Sequence, residues 1–358
     1  MKTGLLTFYH IHHYGAMLQA YATERAVASL GSECEIIDYY VNQDNTLFQR
    51  PTGLGSAAHD AHTALHYGPL KARYERFEAF SRENLNISGR RYQSLEELRQ
   101  AELPYDVLLS GSDQIWNLDC TNGIVNPFFL SFAGDRRRVA YAPSLAHTSF
   151  KPENFDKRSV SALLSKFDYI SVREEETVPL FQPLVDKPID VVLDPTLLLN
   201  ASDYAEMISK MVLEGEYIFM YLLRECPELI ESTVSMASAT GRKVAYISEK
   251  NLDIPNSVNL FGVGPEEFVS LIAHAGLILT NSFHATVFSV LFHKPFRVFA
   301  TDNSGSRMRD LLSNIGLSDR CVDVMCADNI VPCDWDDVDS RLDSLREHSW
   351  AFLRKALS

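Results

Sequence analysis

The chain has 358 residues, 46% apolar and 22% charged, with 17 glycines; at ~100–200 residues per domain this means two domains with a real core, and excludes disorder, collagen and coiled coil. Lys and Arg number 33 against 47 Asp and Glu, a formal charge of −14, which repels nucleic acid and anionic surfaces. No secretory apolar stretch follows Met1 and no run is long enough to cross a bilayer, so a soluble, cytoplasmic protein is expected.

Short apolar runs ending in small or polar residues alternate with helical patterns, as in parallel sheets. Lys2 to Phe8 leads through His12-His13-Tyr14-Gly15 into a helix over Ala16 to Ala22, and Glu35 to Tyr39 completes a β-α-β unit. Residues 42 to about 100 read as a helical insertion, with Tyr74, Phe77 and Phe80 as its apolar stripe. Strands return at Asp106 to Leu109, Val139 to Tyr141, Tyr169 to Val172 and Asp190 to Leu193, with Arg136-Arg137-Arg138 read as a solvated turn. A second series runs through Tyr217 to Arg224, Val244 to Ile247, Leu277 to Leu279 and Arg297 to Phe299. The expected architecture is α/β: two Rossmann-like domains, 1–205 and 206–358, with the boundary between Asn200 and Gly215 and the last helix returning to the first domain. The cleft between them, at the carboxyl ends of the strands, is the expected site.

The stretch Thr280-Asn281-Ser282-Phe283-His284 ends a strand and opens a helix that Pro295 stops. His284 thus falls in a first helical turn, where backbone N–H groups and the helix dipole attract phosphate or carboxylate and set an imidazole beside a bound anion; the alternative is a histidine that caps a domain contact. Asp113, behind Gly111-Ser112 and before Gln114, is either a helix cap or a cleft carboxylate that orients a base. Arg173 reaches the cleft or pairs with Glu174-Glu175-Glu176, and Arg224 has fewer acids nearby, which makes it the better anion ligand. His10, His12 and His13, and His59, His62 and His66, form clusters without accompanying Cys or carboxylate ligands, so no metal is expected. The six cysteines (Cys34, Cys120, Cys226, Cys321, Cys326 and Cys333) are scattered without a C-x-x-C pair and read as reduced, packing thiols. A nucleophile elbow, a P-loop and a G-x-G-x-x-G are all absent from the sequence.

In the stretches Tyr14 to Ala22, Gly111 to Asn117, Tyr141 to Ser144, Ser171 to Glu174, Leu193 to Thr196 and Thr280 to Ser289, continued by Arg307, Leu311-Leu312 and Asp319-Arg320, the chain resembles the polysaccharide pyruvyl transferase family over roughly Thr3 to Arg320. The resemblance implies a fold similar to the GT-B glycosyltransferases. It also implies transfer of the pyruvyl group of phosphoenolpyruvate to two sugar hydroxyls as a cyclic ketal, with release of phosphate. Phosphoenolpyruvate is then the donor substrate, no other cofactor is called for, and the partner is a free, nucleotide-linked or lipid-linked sugar, the last met at the inner membrane face. His284 and Asp113 are the implied catalytic residues. Arg173, Arg224, Ser282, Phe283 and Arg307 fall to the donor, and His13, Tyr14, Gly15, Ser112 and Gln114 to the acceptor. The chain departs from the family pattern twice. Ser282 stands where some members have arginine, so Arg224, Arg307 or Arg309 would substitute, and His13 stands where asparagine is usual. A nucleotide-sugar glycosyltransferase and a non-catalytic sugar-binding protein are the alternative readings.

Overall fold

The computed structural model describes residues 1–40, 57–146, 155–300, 305–322 and 332–358, leaving aside the side chains of 57–66. The apolar runs pair into two parallel sheets of six strands each. The first contains β1 (Lys2–Leu6), β2 (Glu33–Ile36), β3 (Val107–Ser110), β4 (Arg137–Ala140), β5 (Tyr169–Val172) and β6 (Ile189–Val191), in the order β2-β1-β3-β4-β5-β6. The second contains β7 (Tyr217–Tyr221), β8 (Lys243–Ile247), β9 (Ser257–Asn259), β10 (Leu277–Thr280), β11 (Phe296–Phe299) and β12 (Cys321–Val322), in the order β12-β11-β10-β7-β8-β9. Central strands such as β3, β7 and β10 are buried at every position, as strands covered by helices on both faces must be.

Each order reverses once, between β1 and β3 in the first sheet and between β7 and β10 in the second. Ligands of open parallel sheets lie beyond the strand ends at such reversals. The loops leaving these four strands hold His13, Asp113, Arg224 and Ser282-Phe283-His284.

The two halves are joined by more than chain connectivity. The insertion helix Ala57–Asn84 reaches the second half, with Arg76 donating to the Gly262 carbonyl at 2.7 Å and pairing with Glu267 at 3.2 Å. Helix Trp335–Leu357 returns to the first half, where Ser349 Oγ accepts the Leu193 N–H at 3.0 Å and Arg346 donates to the Leu197 carbonyl at 2.7 Å.

Two features differ from the sequence expectation. Arg137 and Arg138 belong to β4 instead of a solvated turn: β4 pairs with β3 from Arg137 onward, and Arg137 donates to the carbonyls of Ala356 and Ser358. The edge strands β9 and β12, of three and two residues, carry too short a pattern to stand out in the sequence. The side chains of His59, His62 and His66 lie outside the described residues.

Candidate active site

Helix Phe283–Leu291 begins at the end of β10, with Ser282 as its N-cap accepting the Ala285 N–H at 3.4 Å. Its first turn points at the start of helix Tyr14–Ser29 in the other half. A β-carbon on Gly15 would stand 2.1 Å from Nδ1 of His284, so only glycine lets the two helix ends meet. On the other side of the ring, Nε2 lies 3.7 Å from Asp194 Oδ2. His284 is 4% exposed, its ring set between Gly15 and Asp194 with the Phe283 ring edge-on, and Nε2 has no hydrogen bond.

Asp194 is the hub of the site. It accepts from Thr196 N–H and Oγ1 at 3.0 and 2.6 Å and from Arg173 Nη1. Burial raises its carboxyl pKa, but the His284 and Arg173 charges outweigh burial and hold it well below the usual range. Asp194 carries no role in the sequence expectation, and it also caps the turn Pro195–Leu197. Arg173 bonds Glu174 Oε1 at 3.1 Å as well, and Glu174 is in turn held by Ser144 Oγ at 2.5 Å. Arg173 therefore both pairs with its neighbouring acid and enters the site.

Phe283 lies between two guanidinium groups, 4.6 Å from that of Arg173 and 5.7 Å from that of Arg307. Arg307, supplied by helix Gly305–Asn314, is 7% exposed and has no ion pair among the described residues, and its Nε lacks a partner. Burial and then the Arg173 charge push its pKa down to about 10. Behind Phe283, Arg173, Asp194 and Arg307 help line a cavity of about 120 Å³ whose wall includes Asp310 and His348.

From the first half come Asp113 and His13. Gly111 has φ 125°, and a β-carbon there would meet the Tyr141 carbonyl at 2.0 Å, so the turn after β3 requires glycine. Asp113 has φ 67° and ψ −173°, a region glycine normally occupies, and its carboxylate makes no cap hydrogen bond with the short helix that follows. The capping alternative is thus set aside, and the carboxylate acts electrostatically on His13, Arg173 and Arg307. His13 caps helix Tyr14–Ser29 through Nδ1, and burial, aided by the nearby positive groups His284, Arg73 and Arg307, lowers its pKa against the pull of Asp113.

Other expected site residues are occupied elsewhere. Tyr14 is 1% exposed, its hydroxyl donates to the Val263 carbonyl at 2.9 Å and accepts from Arg73, and its ring stacks on Phe268 at 4.5 Å, so it joins the halves and offers no face to an acceptor. Ser112 is fully buried and spends its hydroxyl on the Ala142 carbonyl at 2.8 Å. Gln114 is half-buried, with Oε1 accepting from Asn117 at 2.8 Å. Arg224 is exposed on the rim, outside the buried cluster, and faces the Asp113 loop closely enough to act on Cys120.

Two facing parallel α/β sheets with the site at both order reversals define the GT-B architecture. The polysaccharide pyruvyl transferase model matches residues 13–303, and the chain belongs to that family. No curated protein matches it. Among solved structures it is similar to the UDP-GlcNAc 2-epimerase of Methanocaldococcus jannaschii in complex with UDP-GlcNAc and UDP, at 14% identity and TM-score 0.48, over 96% of this chain and 92% of that one. The UDP-GlcNAc 2-epimerase of Neisseria meningitidis gives 11% and 0.48 over 99% and 94%. ADP-heptose lipopolysaccharide heptosyltransferase II of E. coli gives 10% and 0.40 over 97% and 99%.

Proposed function

We propose that this transferase moves the pyruvyl group of phosphoenolpyruvate onto two hydroxyls of a sugar as a cyclic ketal. The observation that carries the reading is Arg307. A residue only 7% exposed, with a guanidinium that makes no ion pair among the described residues, an Nε without a partner and a second arginine beside it, is costly until an anion arrives. A donor bearing both phosphate and carboxylate meets that need, with Arg307 and Arg173 holding it by charge-assisted hydrogen bonds.

The chemistry follows from charge and position. His284, with Nε2 3.7 Å from Asp194, gives a proton to the methylene carbon of the donor, and the adjoining carbon becomes electrophilic. One sugar hydroxyl attacks that carbon and passes its proton to Asp113. Phosphate then leaves with the proton taken back from Asp113, and the second hydroxyl closes the ring and restores the proton to His284. Two hydroxyl protons are consumed, one in the new methyl group and one on phosphate, so the protein ends as it began. The acceptor sugar is free, nucleotide-linked or lipid-linked; no helix among the described residues is long and apolar enough to cross a membrane, and a lipid-linked acceptor would be met at the cytoplasmic face of the inner membrane.

The test is incubation of the purified protein with phosphoenolpyruvate and a panel of sugars, following inorganic phosphate and the mass gain of one ketal. Both signals together support the reading. Absence of both, with no binding of phosphoenolpyruvate, overturns it, and thermal stabilisation by uridine diphosphate in its place would favour glycosyl transfer.

A further inference from the structure

The cavity behind Phe283 is walled by helices Gly305–Asn314 and Trp335–Leu357 and by the loops that leave β5 and β6. Three of its lining residues hold buried polar atoms without a hydrogen-bond partner: Nη2 of Arg173, Nε of Arg307 and Oδ2 of Asp310. Arg307 and Asp310 stand three residues apart on one helix, a spacing at which opposite charges ordinarily pair, yet they form no ion pair. Neither relieves the other. At ~10–15 Å³ for one water, about 120 Å³ leaves room for a ligand of several non-hydrogen atoms.

Charge decides what such a ligand meets. Two arginines face four carboxylates in the lining, those of Glu174, Glu175, Asp194 and Asp310, and Arg173 is already shared between Glu174 and Asp194. A multiply charged anion is repelled by this lining until a carboxylate takes up a proton. At Asp194 the His284 and Arg173 charges outweigh burial and hold the proton off. At Asp310 burial, followed by the charges of Glu176, Glu175 and Glu174, raises the carboxyl to about 6. The remaining titratable group in the wall is His348, from the final helix.

We infer that Asp310 is a third anion ligand, which binds as the carboxylic acid and donates its O–H to an oxyanion in this cavity while Arg307 and Arg173 donate N–H, so that the anion enters together with a proton. A carboxylate would repel what a carboxylic acid holds. That the anion is phosphoenolpyruvate rests on the pyruvyl transfer reading; the proton-coupled site does not.

Sulfate is the probe, because its own charge stays fixed near neutral pH, and its binding is read by calorimetry. The wild-type dissociation constant should be flat below about pH 5.5 and rise about tenfold per pH unit above about pH 6.5, as linkage to one proton requires. Asp310→Asn, whose amide N–H stands in for the O–H at every pH, should keep the wild-type low-pH affinity to within about threefold and lose the slope. His348→Gln should keep the slope. An affinity for sulfate that is constant or strengthens as pH rises, a slope that survives in Asp310→Asn or vanishes in His348→Gln, or no sulfate binding at all overturns the inference. Competition then identifies the occupant. Displacement of sulfate by phosphoenolpyruvate supports the donor in this cavity, whereas sulfate left in place counts against the transfer reading and leaves the anion site standing.

Discussion

Gly15 and His284, from opposite halves of the chain, are in contact so close that a single β-carbon would stand 2.1 Å from the imidazole. Gly15→Ala must therefore push the His284 ring off its line to Asp194. We expect a loss of about 1–3 kcal/mol in unfolding free energy and a fall in turnover, both measurable on one preparation. Replacing the ring itself separates the two effects. His284→Gln should cut kcat by about 10²–10⁴ with a far smaller change in donor binding, and an undiminished kcat would remove His284 from proton transfer.

Arg307 yields a prediction of unusual sign. Arg307→Met removes a buried charge that has no ion pair among the described residues and an Nε without a partner, so the ligand-free variant should melt at or above the wild-type temperature. Phosphoenolpyruvate affinity, by calorimetry, should fall about 30-fold or more, from the loss of a charge-assisted contact of about 2–3 kcal/mol. A lower Tm with unchanged affinity would assign Arg307 to structure alone.

Asp194→Asn leaves Arg173 and His284 facing a neutral amide. Losing the centre of a buried ion network costs about 3–5 kcal/mol, to be read from the urea midpoint. The pH dependence should change as well. Because the folded carboxyl is held below its ordinary 3.8, wild-type stability from this group is present above that value and lost as pH falls beneath it, and the variant should lack that acid loss.

Asp310 titrates the other way. Burial, then the charges of Glu176, Glu175 and Glu174, raise its carboxyl to about 6 from 3.8. The folded state thus binds this proton more tightly than the unfolded chain, and stability is present below 3.8 and lost as pH rises through about 6. Asp310→Asn should raise Tm at about pH 7.5 by about 1–2 °C and change it little at about pH 4. Equal shifts at both values would point to packing instead of charge.

The strands were legible because doubly covered strands need unbroken apolar runs, and Leu277 to Thr280 or Tyr217 to Tyr221 are such runs. The His284 turn was legible for a local reason, since Ser282 caps it and Pro295 closes the region. What escaped depends on residues far apart in the chain. Asp194 is a turn cap by its neighbours and a hub only through Arg173 and His284, 21 and 90 positions away. Tyr14 sits next to Gly15 and invites the same role, yet its partners Arg73, Val263 and Phe268 lie in other elements. Arg137 and Arg138 mislead for a related reason: the oxygens that receive Arg137 belong to Ala356, in the last turn of the final helix, and Ser358, just after it.

Tyr14 is wedged against Phe77, Tyr221 and Phe268, with the Arg73 guanidinium over its ring. Rings of this kind bury about 150–250 Å² each, so parting the halves would wet several hundred square ångströms of aromatic surface, worth several kcal/mol at ~25 cal/mol per Å². A jaw-like swing on every turnover would pay that sum each time. The gap between the halves is therefore expected to keep a nearly constant width.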